Sequence, residues 1–278
     1  MDKPSYTSRR SLLNLIIGGT AGLALAPLRA ASGQPTPVPE GLSAPENAEV
    51  MAILDGDTIA LAGGDRLRLC GIEAPKRDLA PGDAAMVRWT ETATAALDAL
   101  VGGKPITLRL DAGQRDRYGR RLAQAFNSDG VWLQAALIGE GLARVHGDGR
   151  NRLGLRALLR IEAQARDAKA GIWRDRRFAV LAADDPNLGR RAGSFQIIAG
   201  QVFAAVVLGG TGFINFGADR HTDLTLVLKK PALDLLGPAM LDLGSLTSKP
   251  IRCRGWLDLY DGPRIDISHP EQIEVLET

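Results

Sequence analysis

Three carboxylates in the first third of the chain have the spacing of a cation site. Asp55 and Asp57 flank Gly56 where an alternating apolar segment ends, and Glu73 stands at the end of the next predicted strand. Residues i and i+2 of an extended strand lie on the same face, and oxygen ligands in a flexible arrangement suit Ca²⁺. The three side chains therefore predict a calcium site where strand ends meet, although Asp-Gly-Asp-Thr taken alone would indicate only a turn.

Two arginines near these carboxylates point to phosphate chemistry. Arg68 precedes Glu73 on what we expect to be the same short strand, and Arg120 follows Tyr118 and a glycine in a tight turn. A guanidinium can donate two parallel hydrogen bonds to phosphate oxygens, and fixed donors stabilise the charge that develops in a transition state. Arginines beside a divalent cation therefore favour phosphoryl chemistry.

The pattern of apolar residues predicts the elements that would position these side chains. Alternating apolar residues from Ala48 to Leu69 predict strands interrupted by a glycine turn. Helical spacing predicts helices over 84–101, 131–141 and 152–170, with further strands over 106–110 and 122–126. Together they predict a small antiparallel barrel with helices, in the α+β class.

The last part of the chain repeats this organisation on a smaller scale. Five strands are predicted over 195–208, 212–217, 223–229, 250–258 and 263–269, with a helix over 231–243 between the third and the fourth. This order is that of an OB-fold, so we predict a second, smaller OB-like β-barrel over 193–278, after a linker over 176–192. Its charges nearly balance, so a structural or protein-binding role is at least as well supported as nucleic-acid binding.

The motifs of residues 46–175 resemble those of the staphylococcal nuclease (thermonuclease) family. The matching segments follow the family order and are Leu54–Thr58, Arg68–Leu69, Gly71–Pro75, Asp116–Ala123, Gly141–Ala143, Glu162–Arg166 and Gly171–Trp173. The resemblance implies an OB-type five-stranded β-barrel with helices. It also implies a calcium-dependent phosphodiesterase of endonuclease type, with nucleic acid or nucleotides as partners.

The same resemblance implies a role for each matching site residue. The calcium ligands would be Asp57, Glu73 and the backbone oxygen of Ala74, with Asp55 nearby. The scissile phosphate would be held by Arg68 and Arg120, and a terminal phosphate would contact Arg117 and Tyr118.

The chain departs from the family pattern at the position of the general base. Where the family has a glutamate after the Ala-Pro pair, this chain has Lys76. A carboxylate takes a proton from water near neutral pH and an ammonium group does not, so about 10²–10⁴-fold in rate would be lost. Asp78 is the nearest substitute. We expect calcium binding to be weakened unless Lys76 turns towards solvent or pairs with Asp78, because like charges repel.

A second departure follows the Gly141-Leu142-Ala143 motif. Better-known family members place tyrosines there that stack on a base, whereas this chain has His146, Gly147, Asp148 and Gly149. Stacking contributes about 1–3 kcal/mol per base, so nucleotide affinity is expected to be weaker or to use other contacts. His146 is expected to lie in a surface loop.

The N-terminus resembles an export signal. Residues 1–31 combine Arg9 and Arg10, a short glycine-rich apolar stretch and the small residues Ala30 and Ala31, a pattern similar to a twin-arginine signal. A single anchoring helix is the alternative, and residues 32–45 form a Pro-rich linker. The predicted location is periplasmic or secreted, with no membrane contact after removal of the signal.

The net charge and the cysteines of the chain restrict how it could bind polyanions and whether it forms a disulfide. The chain has 278 residues with a net charge of +2, so any binding of polyanions depends on a local cluster. The two cysteines, Cys70 and Cys253, lie among apolar residues. Buried free thiols are the favoured interpretation of these cysteines, and an interdomain disulfide is the alternative.

Two functional hypotheses follow from these patterns. The first is an exported nuclease-like phosphodiesterase that is weakened by Lys76. The second is a catalytically inactive pseudo-nuclease that binds nucleotides, cell-envelope polymers or a protein partner, the last of these through the C-terminal unit.

Overall fold

The computed structural model describes residues 38–77, 82–111, 115–240 and 242–277. The predicted signal over 1–31, the first part of the linker over 32–45, and Asp78 lie outside the described residues. No helix in the described part of the chain is both long enough and apolar enough to cross a bilayer.

The described residues of the first part of the chain form eight strands and three α-helices. The strands are β1 (Glu46–Ala48), β2 (Val50–Asp55), β3 (Thr58–Leu61), β4 (Arg66–Leu69), β5 (Gly71–Glu73), β6 (Ile106–Arg109), β7 (Arg121–Phe126) and β8 (Arg144–His146). The helices are α1 (Ala84–Val101), α2 (Leu133–Gly139) and α3 (Leu155–Asp167).

The described residues of the second part form another eight strands and one α-helix. The strands are β9 (Leu181–Ala182), β10 (Ser194–Gln201), β11 (Ala204–Leu208), β12 (Thr211–Asn215), β13 (Thr225–Leu228), β14 (Pro250–Leu259), β15 (Pro263–Ile267) and β16 (Ile273–Val275). The helix is α4 (Lys230–Met240).

The bounds of α1 follow from local sequence. Its N-cap is Asp83, whose carboxylate accepts hydrogen bonds from the backbone N–H groups of Ala85 and Met86. It ends at Gly102, whose positive φ of 60° favours glycine. The predicted helix over 84–101 is confirmed, and α2 and α3 lie inside the predicted ranges.

The first sheet has six strands in the order β1-β6-β7-β4-β3-β2. The sequence predicted an antiparallel barrel, but this sheet is mixed. Strands β4 and β7 run parallel, with Arg68 opposite Leu122. Its first strand is interrupted after Ala48, so β1 pairs with β6 while β2 pairs with β3. The two halves of residues 46–55 therefore lie at opposite edges of the sheet.

The second sheet has a similar strand connectivity. It has eight strands, with the path β11-β12-β13-β15-β14-β10-β9 and β16 paired to β14. The pair β13–β15 is parallel, as β4–β7 is in the first sheet. Residues 195–208, expected as one strand, are divided between β10, which pairs with β14, and β11, which pairs with β12. The sheets hold six and eight strands, where five were expected in each unit.

The segment between the two sheets is packed against both. Phe178 is buried in the core under the first sheet and Leu188 in the core under the second. Strand β9 pairs with β10 in parallel. Residues 176–192, expected as a linker, thus make ordered contacts.

Buried charged groups join the two parts of the chain. Arg254 on β14 is 2% exposed, and its Nη1 lies 2.8 Å from Oε2 of Glu162 on α3. Its Nη2 lies 2.5 Å from Oε1 of Glu274. Burial alone would lower the pKa of the Arg254 guanidinium, but the two carboxylates outweigh it and raise the pKa above its usual value.

Both cysteines are buried and free, as favoured from the sequence. Burial raises the pKa of Cys70 and that of Cys253 to about 12. Each thiol therefore stays protonated near neutral pH and serves as a small core side chain.

Candidate active site

The turn between β2 and β3 presents the two aspartates of the acidic motif. Asp55 ends β2, and its Oδ1 accepts a hydrogen bond of 2.9 Å from the backbone N–H of Asp57. A Cβ atom at Gly56 would lie 2.6 Å from Ala93 Cβ on α1 and 2.8 Å from Ala74 Cβ. Glycine is therefore needed at this position, because the turn packs directly on the helix.

Asp57 is fully buried, and both of its carboxylate oxygens have partners. Oδ2 accepts a 2.8 Å hydrogen bond from the backbone N–H of Ala74 and lies 3.0 Å from Arg68 Nη1. Oδ1 accepts hydrogen bonds from the Thr58 hydroxyl at 3.0 Å and from Lys76 Nζ at 2.5 Å. A buried carboxylate is stable when it has such donors.

Arg68 lies inside the same cluster. Its Nη2 donates to the carbonyl oxygen of Ile72 at 2.8 Å and to Oε2 of Glu73 at 2.6 Å, and its Nη1 donates to the carbonyl oxygen of Leu69 at 3.1 Å. Burial alone would lower the pKa of this guanidinium, but Asp57, Glu73 and a further aspartate raise it. Arg68 thus holds the cluster together through the same nitrogens that were expected to bind phosphate.

Arg68 and Glu73 belong to different strands, contrary to the expectation of one short strand. The chain leaves β4 at Leu69 and forms β5 from Gly71, which has a positive φ of 85°. Strand β5 pairs with β8 in a separate two-stranded sheet. This bend brings Glu73 back to the Arg68 guanidinium.

Lys76 reaches into the cluster and bridges the two aspartates. Its Nζ lies 2.9 Å from Oδ2 of Asp55 and 2.5 Å from Oδ1 of Asp57. The side chain is 20% exposed. We expected calcium binding to be weakened unless Lys76 turned towards solvent or paired with Asp78. The lysine does not turn towards solvent, because its ammonium group faces Asp55 and Asp57.

The donor set of this cluster does not fit Ca²⁺. Asp57 is occupied by four donors, the Glu73 carboxylate by the Arg68 guanidinium, and Asp55 by the Lys76 ammonium group. Calcium requires six to eight oxygen ligands that can approach the ion together. Among the described residues, no three His, Cys, Asp or Glu side chains converge in a way that would hold a metal ion. Ala74 contributes its N–H to Asp57, and nothing in the cluster shows a role for its carbonyl oxygen.

Arg120 lies in a turn that Asp116 organises. Oδ1 of Asp116 accepts hydrogen bonds from the backbone N–H groups of Tyr118 at 2.9 Å and Arg120 at 3.0 Å. Its Oδ2 accepts a hydrogen bond from Arg120 Nε at 2.7 Å. Partial burial raises the pKa of Asp116, but the hydrogen bonds from Arg120 and Tyr118 lower it overall. Among the described residues, the two terminal nitrogens of Arg120 have no hydrogen-bond partner, so they are available to an anion.

Arg117 and Tyr118 lie together on the exposed side of the same turn. Arg117 Nη2 donates to the Tyr118 hydroxyl oxygen at 2.6 Å, and its guanidinium carbon lies 4.8 Å from the centre of the ring. Tyr118 is 68% exposed. This exposed pair is compatible with the terminal-phosphate contact that the resemblance implied.

The turn and the buried cluster are neighbours in the first sheet. Arg120 directly precedes β7, which pairs with the β4 strand that carries Arg68. Among the described residues, no hydrogen bond or ion pair joins the two groups. The structure thus brings five predicted residues into one cluster and places three on the adjacent turn. The cluster holds Asp55, Asp57, Arg68, Glu73 and Lys76, and the turn holds Arg117, Tyr118 and Arg120.

Two residues of β8 that sequence reasoning did not assign to the site lie against the second part of the chain. Arg144 is level with Glu73 on β5, and its Nη1 donates to the carbonyl oxygen of Phe195 at 2.9 Å. Burial lowers the pKa of Arg144 to about 10. The His146 ring packs edge-on against Phe195, with centroids 4.9 Å apart, and burial lowers its pKa to about 3. The expectation of a surface loop at His146 was wrong, and the alternation of Arg144, Val145 and His146 was the available signal for a strand.

The glycines that follow β8 allow the second part of the chain to approach. A Cβ atom at Gly149 would lie 3.0 Å from the carbonyl oxygen of Ser268, and one at Gly147 would lie 2.4 Å from Leu155 Cδ1 and 3.2 Å from His269 Nε2. Tyrosines would not fit here without displacing these groups. At Gly147 the nearest atom belongs to Leu155 of α3, in the first part itself, and at Gly149 the nearest atom comes from the second part.

An α+β scaffold with a strand-end cluster of acidic and basic side chains is the architecture of a nuclease-type domain. The sequence model described as "Staphylococcal nuclease homologue" matches residues 66–175. A protein named "Uncharacterized endonuclease" from Escherichia coli O157:H7 is 34% identical over 137 residues, which are 48% of this chain and 81% of that protein. The chain therefore belongs to the staphylococcal nuclease family, whose domain has an OB-like fold.

Two further relatives have different names. The "Succinoglycan biosynthesis protein ExoI" of Rhizobium meliloti (strain 1021) is 36% identical over 125 residues, which are 44% of this chain and 62% of that protein. "Protein ParB" of Escherichia coli is 31% identical over 147 residues, which are 46% of this chain and 72% of that protein. The similarity to named endonucleases supports a nuclease-family function.

Proposed function

We propose that this protein is an exported phosphodiesterase of endonuclease type that cleaves nucleic acid slowly. The observation that carries the proposal is the buried cluster of Asp57, Arg68 and Glu73 beside the turn that presents Arg120. The relative named as an endonuclease supports nucleic acid as the substrate. The export part of the proposal rests on the sequence of residues 1–31.

The side chains have distinct roles in this proposal. The terminal nitrogens of Arg120 donate to the oxygens of the scissile phosphate. The Lys76 ammonium offsets the negative charge of Asp55 and Asp57 in the neighbouring cluster. Arg68 positions Asp57 and Glu73 and is a positioning residue. Slow turnover follows from Lys76, because an ammonium group cannot accept the proton of the attacking water.

The mature chain and its Arg120→Ala variant test this function. We expect slow cleavage of heat-denatured DNA by the mature chain and a loss of about 10²-fold or more in the variant, because a donor to the developing charge is removed. Arg109→Ala, a substitution in β6, is the matched control and should cleave at the unmodified rate. Absence of cleavage by the mature chain across the pH range would contradict the proposal.

A binding protein without catalysis is the second candidate. The ion pairs of Lys76 with Asp55 and Asp57 favour it, since they occupy the groups that family chemistry would use. Binding of denatured DNA without cleavage, abolished by Arg120→Ala, would support this candidate over the first.

We also propose that each of the two sheets closes as an OB-type barrel. The support is that the interrupted first strand reaches both sides of each sheet. In the first sheet, β1 and β2 are the two edge strands. In the second sheet, β11 is an edge strand and β10 lies next to the other edge strand, β9. Helix α1 follows β5 and precedes β6, and helix α4 follows β13 and precedes β14, so each helix joins the earlier strands of its unit to the later ones.

A further inference from the structure

We infer that the Lys76 ammonium is a built-in cation that replaces a divalent ion at this site, so that phosphate esters bind without metal. This inference rests on the proposed function for the choice of phosphate as ligand. It is carried by the geometry of the ion pairs. Lys76 Nζ lies within 2.9 Å of an oxygen of both Asp55 and Asp57, so its ammonium group supplies the positive charge between these two carboxylates.

Most of the negative charge of the cluster is compensated by its own side chains. Three carboxylates, Asp55, Asp57 and Glu73, face two cationic groups, Arg68 and Lys76, which leaves a formal charge of −1. An added Ca²⁺ would have to displace the ammonium group from two carboxylates and would be repelled by it at short range. A phosphate monoester or diester instead meets the terminal nitrogens of Arg120, on the turn before β7, and is repelled less by carboxylates that already have cationic partners.

The chain holds the ammonium group in this place through a short, buried connection. Ala74 donates its N–H to Asp57 Oδ2, and both Ala74 and Pro75 are buried directly before Lys76. A cation tethered in this way is present at a high effective concentration, which a free ion would have to exceed. The lysine is thus a fixed part of the carboxylate cluster.

Calorimetric titration with calcium chloride tests the inference on the full mature chain, with Lys76→Gln and Arg77→Gln as the two variants. Arg77 is the matched control because it is the adjacent cation, is exposed and pairs at 3.4 Å with Glu91 on the surface. We expect no saturable binding of calcium to the unmodified chain or to Arg77→Gln. In Lys76→Gln, we expect saturable calcium binding to appear, with an affinity about tenfold or more above the weakest that the titration detects, because a like charge is removed.

A second titration uses adenosine 3′,5′-bisphosphate with and without EDTA. Equal affinity of the unmodified chain under the two conditions is the expected result, and loss of affinity in EDTA would overturn the inference. Equal, saturable calcium binding by the unmodified chain and Lys76→Gln would also overturn it. If Lys76→Gln fails to fold, calcium binding by the unmodified chain decides alone. The calcium titration uses no substrate, so a failure of DNA cleavage would overturn the proposed function without affecting this result.

Discussion

Replacing Lys76 by glutamate is expected to raise the rate of DNA cleavage by about 10²–10⁴-fold when calcium is present, which is the range for restoring a general base. Lys76→Glu removes the ammonium group that bridges Asp55 and Asp57 and places a carboxylate where water can lose a proton. Initial rates on denatured DNA, measured with calcium and with EDTA, give the size of the effect.

Arg77→Glu is the control for this gain. It makes the same change of charge at the neighbouring exposed residue, whose pair with Glu91 lies outside the cluster. It should leave the rate within about twofold, because exposed charges are screened. Equal rates for Lys76→Glu and the unmodified chain would show that the lysine does not limit catalysis.

Removing the buried arginine between the two parts of the chain is expected to reduce stability by about 3 kcal/mol, the lower end of the range for breaking a buried ion pair. Among the described residues, Arg254→Met leaves the fully buried Glu162 with one cationic partner, Arg166, whose Nη1 lies 3.4 Å from Oε2, and with the backbone N–H of Val145. Urea unfolding followed by tryptophan fluorescence measures the change in the free energy of unfolding.

Arg264→Met is the control for Arg254→Met. Arg264 is on the adjacent strand β15 and pairs with Asp266, which is largely exposed, so a change of about 0–1 kcal/mol is expected. If the Glu162 pair contributes as described, Glu162→Gln should restore part of the stability lost in Arg254→Met. Equal losses in the two arginine variants would contradict a special role for the interdomain pair.

Much of the site could be predicted because its residues are close in sequence. Asp55, Asp57 and Glu73 lie around one strand-turn-strand segment, and the glycine between the aspartates is required where the turn meets α1. Helix α1 was predicted from the helical spacing of its apolar residues, and the structure shows the Asp83 cap at its start and a glycine at its end. Local patterns of this kind determine short-range structure directly.

The partner of Lys76 could not be predicted in the same way. Sequence spacing places a lysine near the carboxylates, but its direction depends on the bend at Gly71 and on the N–H of Ala74 held by Asp57. Likewise, Arg68 was expected to bind phosphate, and only the return of β5 shows its guanidinium enclosed by protein groups.

The contact between the two parts of the chain depends on long-range packing. Arg254 and Glu162 are far apart in sequence, and a charged residue in an alternating strand usually indicates an exposed face. The sequence also does not indicate which residues pack against the glycines after β8, because the packing of Ser268 against Gly149 depends on how the two units meet.

A crystal structure of the mature chain grown in millimolar calcium chloride is the sharpest test of whether Lys76 excludes calcium from the carboxylate cluster. We expect Lys76 Nζ within hydrogen-bond distance of both Asp55 and Asp57, with no anomalous density for calcium between Asp57 and Glu73. A calcium ion bound by Asp57 and Glu73, with the lysine displaced into solvent, would contradict it.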